Sequence, residues 1–160
     1  MKRDIFIDNN IASRFANPAD LEFKELIRWL MDNHGIPEGD EDDRAYLVVS
    51  NKVLVEYLRS SRDAIGATAI PMIIDKLTSE GRLVRITNQQ IKDFKSKYFT
   101  KVVERKLTSN NEDREHIPVV LLSDRKYALT NDAKFADDLV NFPGFHVIVS
   151  ERPELIPYKK

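Results

Sequence analysis

The chain has 160 residues and a formal net charge of −1, with 42% hydrophobic and 32% charged residues. This balance argues against an intrinsically disordered chain, and the length suffices for one domain with its own core, which we expect over residues 1–160 with an irregular tail from about 151. The absence of cysteine excludes disulfides, thiolate metal sites and cysteine nucleophiles.

The first half of the chain alternates between strand and helix patterns. Ile5–Ile7 is a short apolar run typical of a buried parallel strand. In chain order, we then expect a helix capped by Asn17, with Pro18 at its first position and Gly35 at its end. It is followed by a solvated acidic loop over 38–43, a buried strand over Tyr46–Val49, and a helix from Ser50 or Asn51 through Arg59.

The second half continues the same alternation. The expected elements are a helix from about Asp63 towards Glu80 with a break or start at Pro71, a strand over Leu83–Ile86, a long helix from Thr87 or Asn88 to about Leu107, a helix over 113–123, a strand over Tyr127–Thr130, a helix over Asp132–Val140 and a strand over His146–Val149. Short strands separated by helices predict an α/β protein. The expected architecture is a three-layer α/β/α sandwich around a mostly parallel sheet of about five short strands.

Four acidic residues fall where the predicted topology brings strand ends together. Functional sites in open parallel sheets form outside the carboxyl ends of the strands. Asp8 directly follows the first strand, and Asp132 follows the fourth by two residues. Glu56 lies about two turns into the helix after the second strand, and Asp113 lies near the start of the helix that leads into the fourth. We therefore expect the four carboxylates to converge on one edge of the sheet.

Such a cluster of like charges is costly unless a cation neutralises it. Mg²⁺ and Mn²⁺ prefer oxygen ligands, and ions held by carboxylates can activate a water for attack on a phosphodiester. An alternative stays open for Asp113 and Asp132, because an acid at a helix start commonly serves only as a cap or a partner of the helix dipole.

The residues around these acids resemble the motifs of PIN domains. The matching runs, in the order of the family, are DNNI at 8–11, SNKVLVEYL at 50–58, Asp113 with Ile117 and Val120, ALTND at 128–132 with Phe135, and FHVIV at 145–149 followed by PELI at 153–156. The resemblance covers nearly the whole chain. It implies a PIN-like fold and a ribonuclease that cleaves single-stranded RNA with Mg²⁺ or Mn²⁺.

The resemblance also implies roles for individual residues. Asp8, Glu56, Asp113 and Asp132 would be the catalytic, metal-binding acids. The supporting residues that it implies are Asn10 and Thr130, which would orient ligands by hydrogen bonds. Glu112, next to Asp113, is an alternative third acid, and Asp137 is either an additional acid near the metal or, as we expect, an exposed helix residue. Many PIN proteins are toxins of toxin–antitoxin pairs, so the implied partners are RNA, an antitoxin protein and a second copy of the chain.

The chain departs from the family pattern after Asp113. His116 and Pro118 stand where PIN domains usually have small apolar residues, which keeps the choice between Glu112 and Asp113 open. The histidines His34, His116 and His146 show no ligand spacing, and we expect His116 to be a surface position on a helix.

Basic residues provide candidate RNA contacts. Lys95 and Lys101 lie in the basic segment 92–106, whose apolar residues at helical spacing predict a packing stripe on the opposite face. Arg14 and Arg59 lie close in sequence to the proposed acids.

Two other classes of protein compete with the nuclease. One is a non-catalytic PIN-like module that binds RNA or protein, and the other is a receiver-like phosphoacceptor domain, which fits less well because these acids are spread through helices. The apolar run near the start is three residues long, too short for a signal peptide, and no stretch approaches the roughly 20 apolar residues of a membrane span. We therefore expect a cytoplasmic protein without membrane contact.

Overall fold

A parallel sheet forms the centre of the protein. The computed structural model describes residues 1–15, 21–32, 42–63 and 69–159. Within these ranges the strands are β1 (Arg3–Ile7), β2 (Ala45–Val49), β3 (Leu83–Arg85), β4 (Tyr127–Leu129) and β5 (Ile148–Ser150), in the order β3-β2-β1-β4-β5. All of β2, and all of β1 after Arg3, is buried, as expected for inner strands covered on both faces.

Helices cover both faces of this sheet. They are α1 (Asn9–Ala12), α2 (Leu21–Asp32), α3 (Asn51–Asp63), α4 (Ala69–Ser79), α5 (Asn88–Tyr98), α6 (Lys101–Lys106), α7 (Asn111–Arg114), α8 (Ile117–Leu121) and α9 (Ala133–Val140), followed by a 3₁₀ turn at Pro153–Leu155. Helix α4 contacts both α2 and α3, and α5 contacts α8, which lies on β2. The predicted three-layer α/β/α sandwich is confirmed. In the described part of the chain, every helix is too short or too polar to cross a membrane.

The long helix predicted from residue 88 to 107 is wrong, because the chain breaks at Phe99. Thr87 and Gln90 form a capping box that starts α5, and Thr100 caps α6 by accepting from the amide of Val103. The break allows the Phe99 ring to pack against other aromatic side chains. A continuous helix would have put Val102 on the packing stripe, but Val102 is 60% exposed.

The helix predicted over 113–123 is also two helices, α7 and α8. Pro118 lies in the first turn of α8 and has no amide hydrogen to donate to the carbonyl of Arg114, so a single helix cannot run through this point. The break falls at His116. It leaves the His116 side chain buried instead of exposed on a helix surface.

The ends of two other helices differ less from the predicted positions. Helix α3 continues to Asp63 instead of ending at Arg59, and α4 begins at Ala69, so that Pro71 lies in its first turn, where a missing amide hydrogen is tolerated. The predicted cap Asn17, Pro18, Gly35 and residues 38–41 of the acidic run lie outside the described residues.

The register of the sheet brings two site residues side by side. Ile7 of β1 pairs with Leu129 of β4, and the Asp8 amide continues the ladder by donating to the Leu129 carbonyl at 2.8 Å. The next residue on the β4 side, Thr130, donates its amide to Ser150 at 3.0 Å. The residues that follow the two strands, Asp8 and Thr130, are therefore neighbours at the carboxyl edge.

A buried carboxylate fixes the segment that leads into α7. Asp138 accepts hydrogen bonds from the Thr108 amide (2.8 Å) and hydroxyl (3.0 Å), and from the Ser109 amide (2.8 Å) and hydroxyl. Arg114 then donates its Nε to the Ser109 carbonyl at 2.9 Å. Asp138 thus holds the position from which α7 presents Asp113 to the carboxyl edge.

Replacing this carboxylate should destabilise the protein. We expect Asp138→Ala to lower the free energy of unfolding by about 3 kcal/mol, because two amides and two hydroxyls lose a charged acceptor. Urea denaturation measures the change. The matched control is Asp137→Ala, which removes an exposed acid from the same helix and should cost less than about 0.5 kcal/mol. Equal losses in the two variants would contradict the role given to Asp138.

Candidate metal centre

Asp8 is a buried carboxylate held by neutral donors. It caps α1, and its oxygens accept from the Asn9 amide at 2.8 Å and from the Thr130 hydroxyl at 2.7 Å. Burial raises the pKa of Asp8 above its ordinary value, while the hydrogen bond from Thr130 and the nearby His116 act in the opposite direction. Asp8 is only 8% exposed, so its orientation is fixed by these contacts.

Thr130 connects two of the acids. Its hydroxyl donates to Asp8 and accepts from the Asp132 amide at 3.1 Å. The Asn10 side chain lies beside it, with its Nδ2 3.5 Å from the Thr130 hydroxyl and its Oδ1 accepting from the Asn131 amide at 3.3 Å. These short polar side chains align the ends of β1 and β4.

Glu56 is presented by α3, which is anchored near the end of β1. The neighbouring Tyr57 is buried and donates its hydroxyl to the Ile7 carbonyl. One helical turn after Glu56, the Ser60 hydroxyl accepts a hydrogen bond from the side-chain amide of Asn9 at 2.6 Å. These two contacts hold α3 so that Glu56 is directed at the carboxyl edge of the sheet.

His116 was missed by sequence reasoning, and the prediction of a surface position is wrong. The side chain is 1% exposed, and its Nε2 lies 3.1 and 3.0 Å from the two carboxylate oxygens of Glu56. Its ring packs between Phe6, at 5.7 Å between ring centres, and Phe135, at 6.3 Å. The only sequence signal for this burial is the strongly apolar run IPVVLL that follows His116.

Three of these side chains form a possible ligand set for a metal ion. One oxygen of Asp8, one oxygen of Glu56 and a ring nitrogen of His116 all lie within 4.8 Å of one another. Two carboxylates and an imidazole suit a divalent cation that accepts both oxygen and nitrogen ligands. The donor set therefore fits a metal such as the one implied by the sequence resemblance.

Asp113 and Asp132 adjoin this set. Asp132 caps α9 by accepting from the Phe135 amide at 3.1 Å. Burial, together with the hydrogen bond and charge of Asp132 and the charge of Asp8, raises the pKa of Asp113 to about 6. Asp113 and Asp132 thus lie next to each other and near Asp8, but among the described residues neither belongs to the ligand set that Asp8 and Glu56 form with His116.

The two remaining acid candidates lie elsewhere. Glu112 is exposed in the first turn of α7, one residue before Asp113. Asp137 is exposed on α9, where it lines a different cavity together with Lys106. Neither belongs to the metal-ligand set found among the described residues.

A cleft rich in lysine lies beside α3 and the residue that precedes His116. It has a volume of about 390 Å³ and is lined by Lys52, Asn88, Ile91, Lys92, Lys95, Ser96 and Glu115. Lys52 precedes Glu56 by one helical turn, and Lys95 forms an ion pair with Glu115, the residue before His116. Among the other basic candidates, Arg14, Arg59 and Lys101 are exposed and do not line this cleft.

Comparisons with known proteins give one structural likeness. No protein-family model and no curated protein matches the chain. Among solved structures, VapBC2 from Rickettsia felis, bound to a DNA fragment from their promoter, aligns with a TM-score of 0.57 and 15% sequence identity over 93% of this chain and 98% of that chain. A likeness at this identity is one of fold. The PIN-like fold implied by the motifs is confirmed.

The raised pKa of Asp113 has a consequence for stability. In the folded state the pKa of Asp113 lies above its ordinary value of 3.8, so the folded protein binds a proton at this carboxyl more tightly than the unfolded chain does. Proton binding therefore stabilises the folded state at low pH, and this stabilisation is lost as the pH rises through about 6. Asp113→Asn should therefore stabilise the metal-free protein at pH 7, by up to about 1 kcal/mol since solvent screens the group, and have little effect near pH 3.5.

Urea denaturation at the two pH values in the presence of a chelator measures this difference. Glu112→Gln is the matched control, because it removes an exposed neighbouring acid and should leave stability nearly unchanged at both pH values. Destabilisation by Asp113→Asn at pH 7, or an equal gain at both pH values, would show that Asp113 does not bear the proposed repulsion.

Proposed function

We propose that this protein is a divalent-metal-dependent endoribonuclease that hydrolyses phosphodiester bonds of single-stranded RNA. The observation that carries the proposal is the convergence of ligand atoms from Asp8, Glu56 and His116 within 4.8 Å, next to the carboxyl pair of Asp113 and Asp132. Like charges gathered in this way favour binding of a cation. The PIN-like fold and the sequence motifs support the same activity.

In this proposal Asp8 and Glu56 are the central metal-binding residues, with Asp113 and Asp132 completing the site. Bound Mg²⁺ or Mn²⁺ would lower the pKa of a water and stabilise the charge that develops on the phosphate. Thr130 keeps one Asp8 oxygen engaged, which directs the remaining lone pairs of the carboxylate towards the site. Asn10 supports the same segment through its contact with Asn131.

Asp113 is suited to the transfer of a proton. Its carboxylate lies beside the proposed ligand set, close enough to Asp8 for their charges to interact, and a carboxylate in this position can accept a proton from an attacking water. We assign the role of general base to an Asp113 carboxylate oxygen. Asp132, whose charge helps to raise the pKa of Asp113, acts here through its neighbour.

The lysine-lined cleft supplies a path for the RNA strand. Lys52, Lys92 and Lys95 give it positive charge against the single acid Glu115, and RNA backbones are bound largely through such contacts to phosphates. Because Lys52 and Glu56 lie on one helix, a strand bound in the cleft is led towards the acids. We assign further contacts to the exposed Arg14, Arg59 and Lys101.

Protein partners are also proposed. The sequence resemblance implies an antitoxin and a second copy of the chain. Exposed apolar side chains on α3 and α4, Val55, Leu58 and Met72, offer a surface for a protein partner on helices that contact each other. The proposed role is therefore that of a toxin-type PIN ribonuclease.

The alternative is a PIN-like module that binds RNA or protein without cleaving it. A site without metal has no need to retain four repelling carboxylates, which favours the nuclease. A metal titration distinguishes the two classes, since an ion that binds only the folded state raises the melting temperature by mass action. The alternative predicts neither this rise nor cleavage.

Replacement of Asp8 should abolish the activity. Asp8→Asn keeps the size of the side chain but removes the charge that holds the cation, and we expect cleavage to fall by at least roughly a hundredfold. The assay follows an end-labelled single-stranded RNA with Mg²⁺ or Mn²⁺ and again with excess chelator. Asp137→Asn is the matched control and should retain full activity. Cleavage that survives either Asp8→Asn or chelation would rule out this mechanism.

Removal of lysines from the cleft should weaken RNA binding more than chemistry. For Lys52→Ala combined with Lys92→Ala, we expect KM to rise about tenfold with kcat nearly unchanged. The slope of log Kd against log salt should fall by about 1.4, since each contact to a single-strand phosphate contributes about 0.7. A control with Lys24→Ala and Lys134→Ala, exposed on α2 and α9, should match the wild type. Equal effects in the two double variants would refute the proposed path.

A further inference from the structure

The His116 ring is buried with one nitrogen directed at Glu56. The side chain is buried between Phe6 and Phe135, at the break between α7 and α8. Nε2 faces both oxygens of Glu56. An imidazole with this orientation is available as a ligand without any rearrangement of the backbone.

The spacing between His116 and Glu56 equals that of adjacent ligands in a coordination sphere. In an octahedral site with ligands about 2.1 Å from the ion, adjacent ligand atoms are about 3 Å apart and opposite ones about 4.2 Å apart. The separations of 3.0 and 3.1 Å between His116 Nε2 and the Glu56 oxygens fall at the adjacent spacing. The donor atoms of the whole set with Asp8 lie within 4.8 Å of one another, an upper bound slightly above the spacing of opposite ligands.

Without an ion, the contact of His116 with Glu56 is a hydrogen bond in which Nε2 donates its proton. With an ion, the proton must leave Nε2, so that its lone pair becomes available. Among the described residues Nδ1 has no hydrogen-bond partner. A metal-ligating histidine normally gains affinity from such a partner, so we expect an exchangeable ion instead of one retained through purification.

The chemistry of an imidazole ligand discriminates between cations. Mg²⁺ strongly prefers oxygen ligands and retains water, whereas Mn²⁺ and later first-row ions accept imidazole nitrogen as well. A site made only of carboxylates would separate Mg²⁺ from Mn²⁺ weakly. One nitrogen ligand in the set shifts the balance towards Mn²⁺.

We propose that His116 is a direct nitrogen ligand of the cation at this site and gives the site a preference for Mn²⁺ over Mg²⁺. This inference rests on the proposed function, because it concerns the ion of the same site. It adds a ligand that the acid motifs do not include. It also makes His116 a determinant of metal specificity instead of a residue that only orients Glu56.

The test is pulsed electron paramagnetic resonance on the full chain with one equivalent of Mn²⁺. We expect the wild-type spin-echo envelope to show modulation from a directly bound ¹⁴N nucleus. His116→Gln, which keeps a polar side chain next to Glu56, should lose this modulation. By calorimetry the same variant should bind Mn²⁺ at least roughly tenfold more weakly and Mg²⁺ with nearly unchanged affinity.

The other two histidines provide the matched control. A variant with His34→Gln and His146→Gln retains His116 as the only histidine and should keep the full modulation. Bound Mn²⁺ without ¹⁴N modulation in the wild type would overturn the inference even if His116→Gln failed to fold. Modulation that persists in His116→Gln, or disappears in the control, would also overturn it.

These outcomes are separable from a failure of the proposed function. Wild-type protein that binds neither Mn²⁺ nor Mg²⁺ would overturn the metal-dependent nuclease itself. Wild-type protein that binds both ions equally, cleaves RNA and shows no nitrogen coupling would leave the nuclease intact and reject the role of His116. Mn²⁺ binding with nitrogen coupling that is lost only in His116→Gln would support both.

Discussion

Mutual repulsion of carboxylates at the carboxyl ends of β1 and β4 is the constraint on which the rest of the site depends. The parallel register sets Ile7 beside Leu129, and this forces the residues that follow, Asp8 and Thr130, into contact. Burial and the neighbouring acids raise the pKa of Asp113 to about 6, a direct consequence of crowding like charges in a partly desolvated place. At neutral pH this arrangement concentrates negative charge at the site, and a divalent cation can neutralise it.

The surrounding structure holds the acids in place with uncharged hydrogen-bond donors, which leave the negative charge of the site uncompensated. Asp8 is fixed by a hydroxyl and a backbone amide, and α3 is fixed by the Tyr57 hydroxyl on the Ile7 carbonyl. On the other side of the site, the buried Asp138 holds the segment that starts α7. These contacts determine the direction of the acidic side chains without neutralising them. The lysines of the cleft lie at the margin, where they can attract RNA phosphates.

Sequence reasoning was successful where strand ends alone determine position. Asp8 and Asp132 follow buried strands, and Glu56 lies on the side of α3 that faces the carboxyl edge of the sheet. The placement of these acids was therefore predictable from the topology. His116 was not, because its partner Glu56 is 60 residues away and its burial depends on the break between α7 and α8. Thr100 and Pro118 are the local signals of the two helix breaks. Their effect was outweighed in the prediction by the helical spacing of the apolar residues around them.

The most direct test of a shared metal site is the anomalous scattering of Mn²⁺ soaked into crystals of the protein. We expect one strong peak within coordination distance of Asp8 and Glu56, on the side of the sheet where Asp113 and Asp132 meet. This peak should disappear in crystals of Asp8→Asn. No peak at millimolar Mn²⁺, or a peak that contacts none of these acids, would contradict the central claim that the carboxyl edge of this PIN-like sheet binds a divalent cation.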